Sequence, residues 1–115
     1  MRSDLPYLVL VRDSIDKIFE YIGTREKEEF LNDEIIRDAC LTRMIVIGEY
    51  SAKVSEEIRE LFSEVEWQEM KAARNFFAHA YGRVNWEILW DTIQSDLAPL
   101  RDNIQNIIEY IEEKK

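Results

Sequence analysis

The sequence predicts an all-α protein, an antiparallel bundle of four to five helices in a single domain spanning residues 1–115. Apolar residues recur at helical spacing along most of the chain, and no stretch alternates with the two-residue period of a strand. Three glycines and two prolines leave little material for the many turns of a strand-rich fold. A chain of 115 residues with 46% hydrophobic residues is large enough to bury one core without disulfides or a structural metal to stabilise it.

The first helix is predicted to begin after Ser3 and Asp4, whose side chains suit a helix cap, and to end at Gly23. Segment 24–31 is highly charged and is interpreted as a connection or a short helix. Its apolar anchors are Phe30 and Leu31.

Asn32 or Asp33 is predicted to cap a second long helix. The apolar stripe of that helix comprises Ile36, Ala39, Cys40, Met44, Ile47 and residues 51–54. Ser55 is predicted to start a short helix. A further helix begins at Trp67 and ends near Gly82, because glycine tolerates the positive φ of a helix stop.

Asn85 is predicted to cap the last and longest helix, which Pro99 should kink or briefly break. Its apolar stripe comprises Trp86, Leu89, Trp90, Ile93, Leu97, Leu100, Ile104, Ile107, Ile108 and Ile111. Four principal helices joined by short links favour an antiparallel bundle.

Composition excludes several classes of protein. No apolar run exceeds five residues, so we expect no membrane partner, and the N-terminus lacks the shape of a signal peptide. Cys40 is the only cysteine; it is expected to be a buried, inert thiol, and the absence of a possible disulfide fits the cytoplasm. The net charge of −9 opposes broad nucleic-acid binding, so no DNA partner is expected and any RNA contact should be local.

The single histidine lies in a segment whose charge is opposite to that of the rest of the chain. From Met70 to Trp86 there is no acidic residue, while Lys71, Arg74 and Arg83 bring this segment to +3 against −12 elsewhere. Because an imidazole titrates near neutrality, His79 in a cationic segment is a candidate for proton transfer on a phosphate ester. Lys71 and Arg83 are candidate RNA contacts.

The chemistry of RNA cleavage suits these residue types. Arg74 supplies a permanent charge for the phosphate oxygens, and RNA carries its own nucleophile in the 2′-hydroxyl, so we expect neither a metal nor another cofactor. Arg74 and His79 are five positions apart, roughly 140° around a straight helix, so they converge only at a helix end or a turn. Asn75 does share a helical face with His79. Because one imidazole cannot easily act as acid and base together, we hypothesise a two-fold homodimer.

Simpler interpretations remain open for the same residues. A lone histidine near a helix C-terminus often serves as a favourable charge there, and Arg74 can pair with any of many carboxylates. Tyr81 is either a base-stacking residue or a half-buried interface residue. Glu49 is either solvated or orients Arg74 or His79. The spacings of zinc sites, calcium loops and phosphate-binding glycine loops are absent from the sequence.

The string Arg74, four residues, His79, one residue, Tyr81 resembles the Arg-x4-His-x-Tyr motif of HepT-like toxins, within the HEPN superfamily. Further similarities cover most of the chain and are strongest from Ile45 to Leu100. They are the Gly-Glu element at 47–49, the tryptophan before the motif at Trp67, and the Trp-rich helix at 86–93. Ala80 follows His79 where relatives often have an acidic residue.

The resemblance implies an all-helical homodimer with a cleft built from both motifs, and a metal-independent endoribonuclease acting as the toxin of a type VII-like toxin–antitoxin pair. Arg74 and His79 would be catalytic, and Asn75 a polar helper. The partner would be a minimal nucleotidyltransferase antitoxin, which can neutralise the toxin by adding AMP to Tyr81. Two alternatives are kept: a noncatalytic helical module bound and AMP-modified by that partner, and a purely structural helical protein.

Overall fold

The computed structural model describes residues 1–71, 73 and 83–114, and every regular element in these ranges is helical, which confirms the predicted all-α class. A 3-10 turn at Arg2–Asp4 precedes the first helix. The α-helices are α1 (Leu5–Ile22), α2 (Lys27–Leu31), α3 (Glu34–Ser51), α4 (Glu56–Leu61) and α5 (Trp86–Glu113). Residues 67–71 are also helical and are called the lead-in helix, because they precede segment 74–82.

Among the described residues, three long helices form the body of the bundle, with α1 packed against both α3 and α5. Arg12 of α1 donates a hydrogen bond to Gln105 of α5, and one turn later Asp16 accepts from Arg101, so these two helices run antiparallel. The ring of Tyr7, near the start of α1, lies 6.1 Å from that of Tyr50, near the end of α3, so these two helices also run antiparallel. The predicted antiparallel packing therefore holds for both pairs of helices.

The apolar stripes predicted for the long helices form the core. Burying a large aliphatic side chain contributes roughly 1.5–3 kcal/mol, so this layer is the main source of stability. Phe30 of α2 is fully buried and its ring lies 5.2 Å from that of Trp90, which confirms it as an anchor. The fully buried core residues include Leu8, Val11, Ile15, Ile18, Cys40, Ile58, Leu89, Ile93, Ile104, Ile107 and Ile111.

Most helix boundaries follow from local capping chemistry. The side chains of Asp33, Ser55 and Asn85 accept hydrogen bonds from amides in the first turns of α3, α4 and α5, as predicted. Gly23 ends α1 with a φ of 55°, a conformation that glycine adopts without strain. The charged segment before α3 contains the short helix α2.

Two details of the prediction need correction. Asp4 stands at the cap position of α1, but its side chain makes no capping hydrogen bond; its carboxylate binds Ser55 instead. Helix α5 continues through Pro99 without the brief break that was one of the two predicted effects, and the predicted kink is not contradicted. Pro99 and Ser95, the residue whose carbonyl loses its partner to the proline ring, are both exposed, so water can hydrate that carbonyl and the helix continues.

Candidate functional site

The predicted site residues divide into two groups. Arg74, Asn75, His79 and Tyr81 lie outside the described residues, as does the predicted helix end at Gly82. Lys71, Arg83 and Glu49 are described. The structure therefore defines how the chain is held immediately before and after the motif.

The lead-in helix is anchored at its first residue. The indole Nε1 of Trp67 donates a hydrogen bond of 3.1 Å to the carbonyl of Phe62, just beyond the end of α4. One turn later, the hydroxyl of Ser51 donates to the sulfur of Met70 at 3.6 Å. Trp67 thus begins a helix, as predicted, and packs against the core. Contacts with the ends of α3 and α4 together fix the direction of the lead-in helix.

The chain after the motif is held by a corner formed by α2 and α3. The Arg37 guanidinium lies 4.8 Å from the centre of the Trp86 ring, and its Nη1 donates to the carbonyl of Leu31 at 3.1 Å. Lys27 forms a 3.7 Å ion pair with Glu87 in the first turn of α5. No local sequence pattern points to Arg37, because its partner is far away along the chain.

The described candidates for substrate contact and orientation are all exposed. Lys71 and Arg83 flank the motif, and neither forms an ion pair with another described residue. Their charges are therefore suitable for contact with phosphate groups. Glu49 is exposed on α3, as the solvated interpretation requires, and orientation of Arg74 or His79 by Glu49 stays a prediction.

A groove of about 460 Å³ lies between α3, the lead-in helix and α5. Its floor is apolar, and its last described residue on the lead-in side is Ala73, directly before Arg74. Apolar residues that line it include Met44, Ile47, Val65, Met70 and Leu97, and its acidic residues are Glu64, Glu66, Glu69 and Asp96. We call it the acidic groove.

The carboxylates of the acidic groove affect one another. The pKa of Glu69 is raised, first by a hydrogen bond with the side chain of Glu66 and by the charge of that group, and further by desolvation and by Asp96. Such a shift indicates crowded negative charge. A phosphate group would be repelled here, so the acidic groove and the cationic segment that follows it suit different ligands.

Other parts of the described chain offer fewer candidates for chemistry. Burial of Cys40 raises the pKa of its thiol to about 12, as expected of an inert core cysteine. Among residues 1–71, 73 and 83–114, no group of three or more His, Cys, Asp and Glu side chains is arranged to hold a metal ion. None of the helices in these ranges is both long and apolar enough to cross a bilayer.

The all-helical fold of the described residues and the Arg-x4-His-x-Tyr string in the sequence agree with the comparison with known families. The family described as "Ribonuclease HepT-like" matches residues 11–107, which include the whole motif. The chain belongs to this HepT-like family.

Curated relatives support the same assignment. A probable ribonuclease HepT of Thermococcus cleftensis is 32% identical over 92% of this chain and 96% of its own length. A candidate RNase of Caldanaerobacter subterraneus subsp. tengcongensis is 28% identical over 95% of this chain and 97% of its own. A Methanocaldococcus jannaschii protein, named as a gamma-glutamylcyclotransferase and candidate RNase, is 28% identical over all of this chain, which spans 52% of that protein. No solved structure matches the chain significantly.

Proposed function

We propose that the protein is an endoribonuclease that cleaves RNA without a metal ion, with Arg74 and His79 as its catalytic residues. The observation that carries the proposal is the family match, which spans the motif and most of the bundle. The proposed domain is the whole of residues 1–115, acting in the cytoplasm. Lys71 and Arg83, exposed on either side of the motif, are proposed to contact the RNA backbone.

The proposed reaction uses the RNA's own 2′-hydroxyl. His79 as general base removes the proton of this hydroxyl, whose oxygen attacks the adjacent phosphorus and expels the 5′-oxygen. A second imidazole protonates that leaving oxygen, and the product ends in a 2′,3′-cyclic phosphate. The Arg74 guanidinium stabilises the charge that develops on the phosphoryl oxygens, and Asn75 orients the imidazole.

A homodimer supplies the second imidazole in this proposal. The chain contains one histidine, and each of the two proton transfers contributes roughly 10²- to 10⁴-fold to the rate. Two copies related by a two-fold axis would place two Arg74 and two His79 side chains in one cleft. Full activity of a monomer at high dilution would contradict this part of the proposal.

Purified Arg74→Ala and His79→Ala proteins test the assignment. Each is expected to cleave RNA at least about 100-fold more slowly than the unaltered protein in buffer containing EDTA, while keeping its helical circular dichroism. Arg2→Ala, which removes an exposed arginine from the first turn, is the matched control and should cleave normally. If either motif variant cleaves RNA at the unaltered rate, the catalytic assignment is wrong.

We further propose that the protein is the toxin of a toxin–antitoxin pair, neutralised by a minimal nucleotidyltransferase that adds AMP to Tyr81. An added phosphate group next to His79 would occupy the cleft and repel the RNA. Mass spectrometry after incubation with ATP and that partner should show one AMP on the unaltered chain and none on Tyr81→Phe. AMP addition to the Tyr81→Phe protein would contradict the proposed target.

A second candidate function is a noncatalytic helical module that the same nucleotidyltransferase binds and modifies. The net charge of −9 favours it, because most of the surface repels RNA. This candidate predicts a protein that binds its partner and accepts AMP, yet leaves RNA intact with or without metal ions. The cleavage assay above therefore separates the two candidates.

A further inference from the structure

The acidic groove combines two properties, an apolar floor and an acidic margin. Its floor is apolar, and half-buried Met70 and Leu100 expose part of their side chains to it. Around this floor stand four carboxylates, and the described lining contains no lysine, arginine or histidine. Apolar groups facing the floor and positive charges facing these carboxylates would therefore complement the described lining.

The positions of the carboxylates restrict the ligand further. Glu64 lies in the turn after α4, Glu66 and Glu69 lie at the start of the lead-in helix, and Asp96 lies across the groove on α5. The pKa of Glu69 is raised first by a hydrogen bond with the Glu66 side chain, then by the charge of Glu66 and last by that of Asp96, so these three carboxyl groups lie close together. A cation between these walls would relieve that repulsion.

We propose that the acidic groove is a docking site for a basic amphipathic segment of a different protein, with apolar side chains on the groove floor and lysine or arginine beside its four carboxylates. A volume of about 460 Å³ holds several side chains of such a segment rather than a whole domain. The proposal goes beyond ribonuclease activity and does not depend on it.

RNA is the wrong occupant on electrostatic grounds. Phosphates placed beside Glu64, Glu66 and Asp96 would add repulsion to a region that is already crowded with negative charge. A docked basic segment would lie against Ala73, one residue before the proposed catalytic Arg74. The described lining of the groove therefore suits a basic protein segment and does not suit RNA.

The test uses the full chain and two defined probes. The first is a dye-labelled amphipathic peptide with leucines on its apolar face and lysines on its polar face. The second has glutamates in place of the lysines. Anisotropy of the dye gives the affinity, and amide chemical shifts of the isotope-labelled protein locate the bound peptide.

Two altered proteins distinguish docking from general attraction to an acidic protein. Glu64→Lys with Asp96→Lys reverses both sides of the groove and leaves the lead-in helix unaltered. Glu112→Lys with Glu113→Lys makes the same change in net charge at the far end of α5. Ser95→Trp places a large ring at the exposed margin and tests the role of the apolar floor.

The lysine peptide is expected to shift the amides of Met70, Ser95 and Leu100, and to bind at least about tenfold more weakly to the Glu64→Lys/Asp96→Lys protein than to the Glu112→Lys/Glu113→Lys protein. The Ser95→Trp substitution should weaken binding of the lysine peptide to a similar extent. The glutamate peptide should not bind. These results together support the proposal.

Other outcomes overturn it. Equal affinity for the two charge-reversed proteins, absence of binding, or shifts outside the groove would each exclude this docking site. If RNA shifts the groove amides instead, the occupant is the nucleic acid. If light scattering shows an unaltered dimer that dissociates on Glu64→Lys/Asp96→Lys substitution, the occupant is a second copy of the chain. None of these outcomes depends on RNA cleavage, so failure here leaves the proposed ribonuclease activity to its own test.

Discussion

The carboxylate of Asp4 accepts two hydrogen bonds from Ser55, one from its amide at 2.8 Å and one from its hydroxyl at 2.7 Å. Asp4 is almost fully buried, and the same serine hydroxyl accepts from the amide of Ile58 in the first turn of α4. One buried acid therefore joins the N-terminus of the bundle to the start of α4, the helix whose end anchors Trp67.

Asp4→Asn should lower the free energy of unfolding by about 1–3 kcal/mol, because an amide replaces the charged acceptor and directs N–H groups at donors that need an acceptor. Urea denaturation measures the change. Asp13→Asn, at an exposed carboxylate of α1, is the control and should stay within about 0.5 kcal/mol of the unaltered protein. Equal stability of the two variants would show that the pair contributes nothing.

Trp67→Phe keeps an aromatic ring but removes the donor to the Phe62 carbonyl. We expect a loss of about 1 kcal/mol in unfolding free energy, together with faster hydrogen exchange at residues 67–71. Gln68→Ala, at the exposed neighbour, is the control. Unaltered exchange in the lead-in helix would mean that the indole hydrogen bond does not hold it.

Cys40 should resist thiol reagents in the native protein. With a pKa of about 12, only about one thiol in ten thousand is ionised at pH 8, and burial blocks access as well. Reaction with Ellman's reagent should therefore be slow and should become rapid in guanidinium chloride. Immediate stoichiometric labelling of the folded protein would contradict the buried environment.

Glu69→Gln should stabilise the protein most at neutral pH. Because the pKa of Glu69 is raised on folding, the folded state holds its proton more tightly than the unfolded state does. The stability that this proton gives to the folded state is lost as pH rises through the folded pKa. The difference in melting temperature, glutamine variant minus unaltered protein, should therefore increase from acid to neutral pH. Glu112→Gln is the control, and parallel curves for Glu69→Gln would contradict the prediction.

Local chemistry explains which parts of the fold were predictable. Asp33, Ser55 and Asn85 cap helices through amides two or three residues away, so their roles are visible in a short window of sequence. The pairs Asp4–Ser55 and Arg37–Trp86 join residues that only the folded chain brings together. Pro99 was predicted to kink or briefly break α5 from its ring alone; the break does not occur, because the affected turn is exposed and the helix continues.

The candidate site shows the same division. The start of a helix at Trp67 and the cap at Asn85 were predicted on either side of the motif, and the structure confirms both. The acidic groove was not predicted, because its walls come from three separate parts of the chain. The catalytic roles of Arg74 and His79 stay predictions that the cleavage assays test.

The placement of the tryptophans has a practical consequence. The chain has three of them, with Trp67 before the motif and Trp86 and Trp90 after it. The indoles of Trp67 and Trp86 each contact an identified neighbour, a carbonyl in one case and a guanidinium in the other. Ultraviolet emission from the unlabelled protein should therefore report events at both ends of segment 74–82, which makes binding of RNA or of a regulator observable without a dye or an engineered reporter.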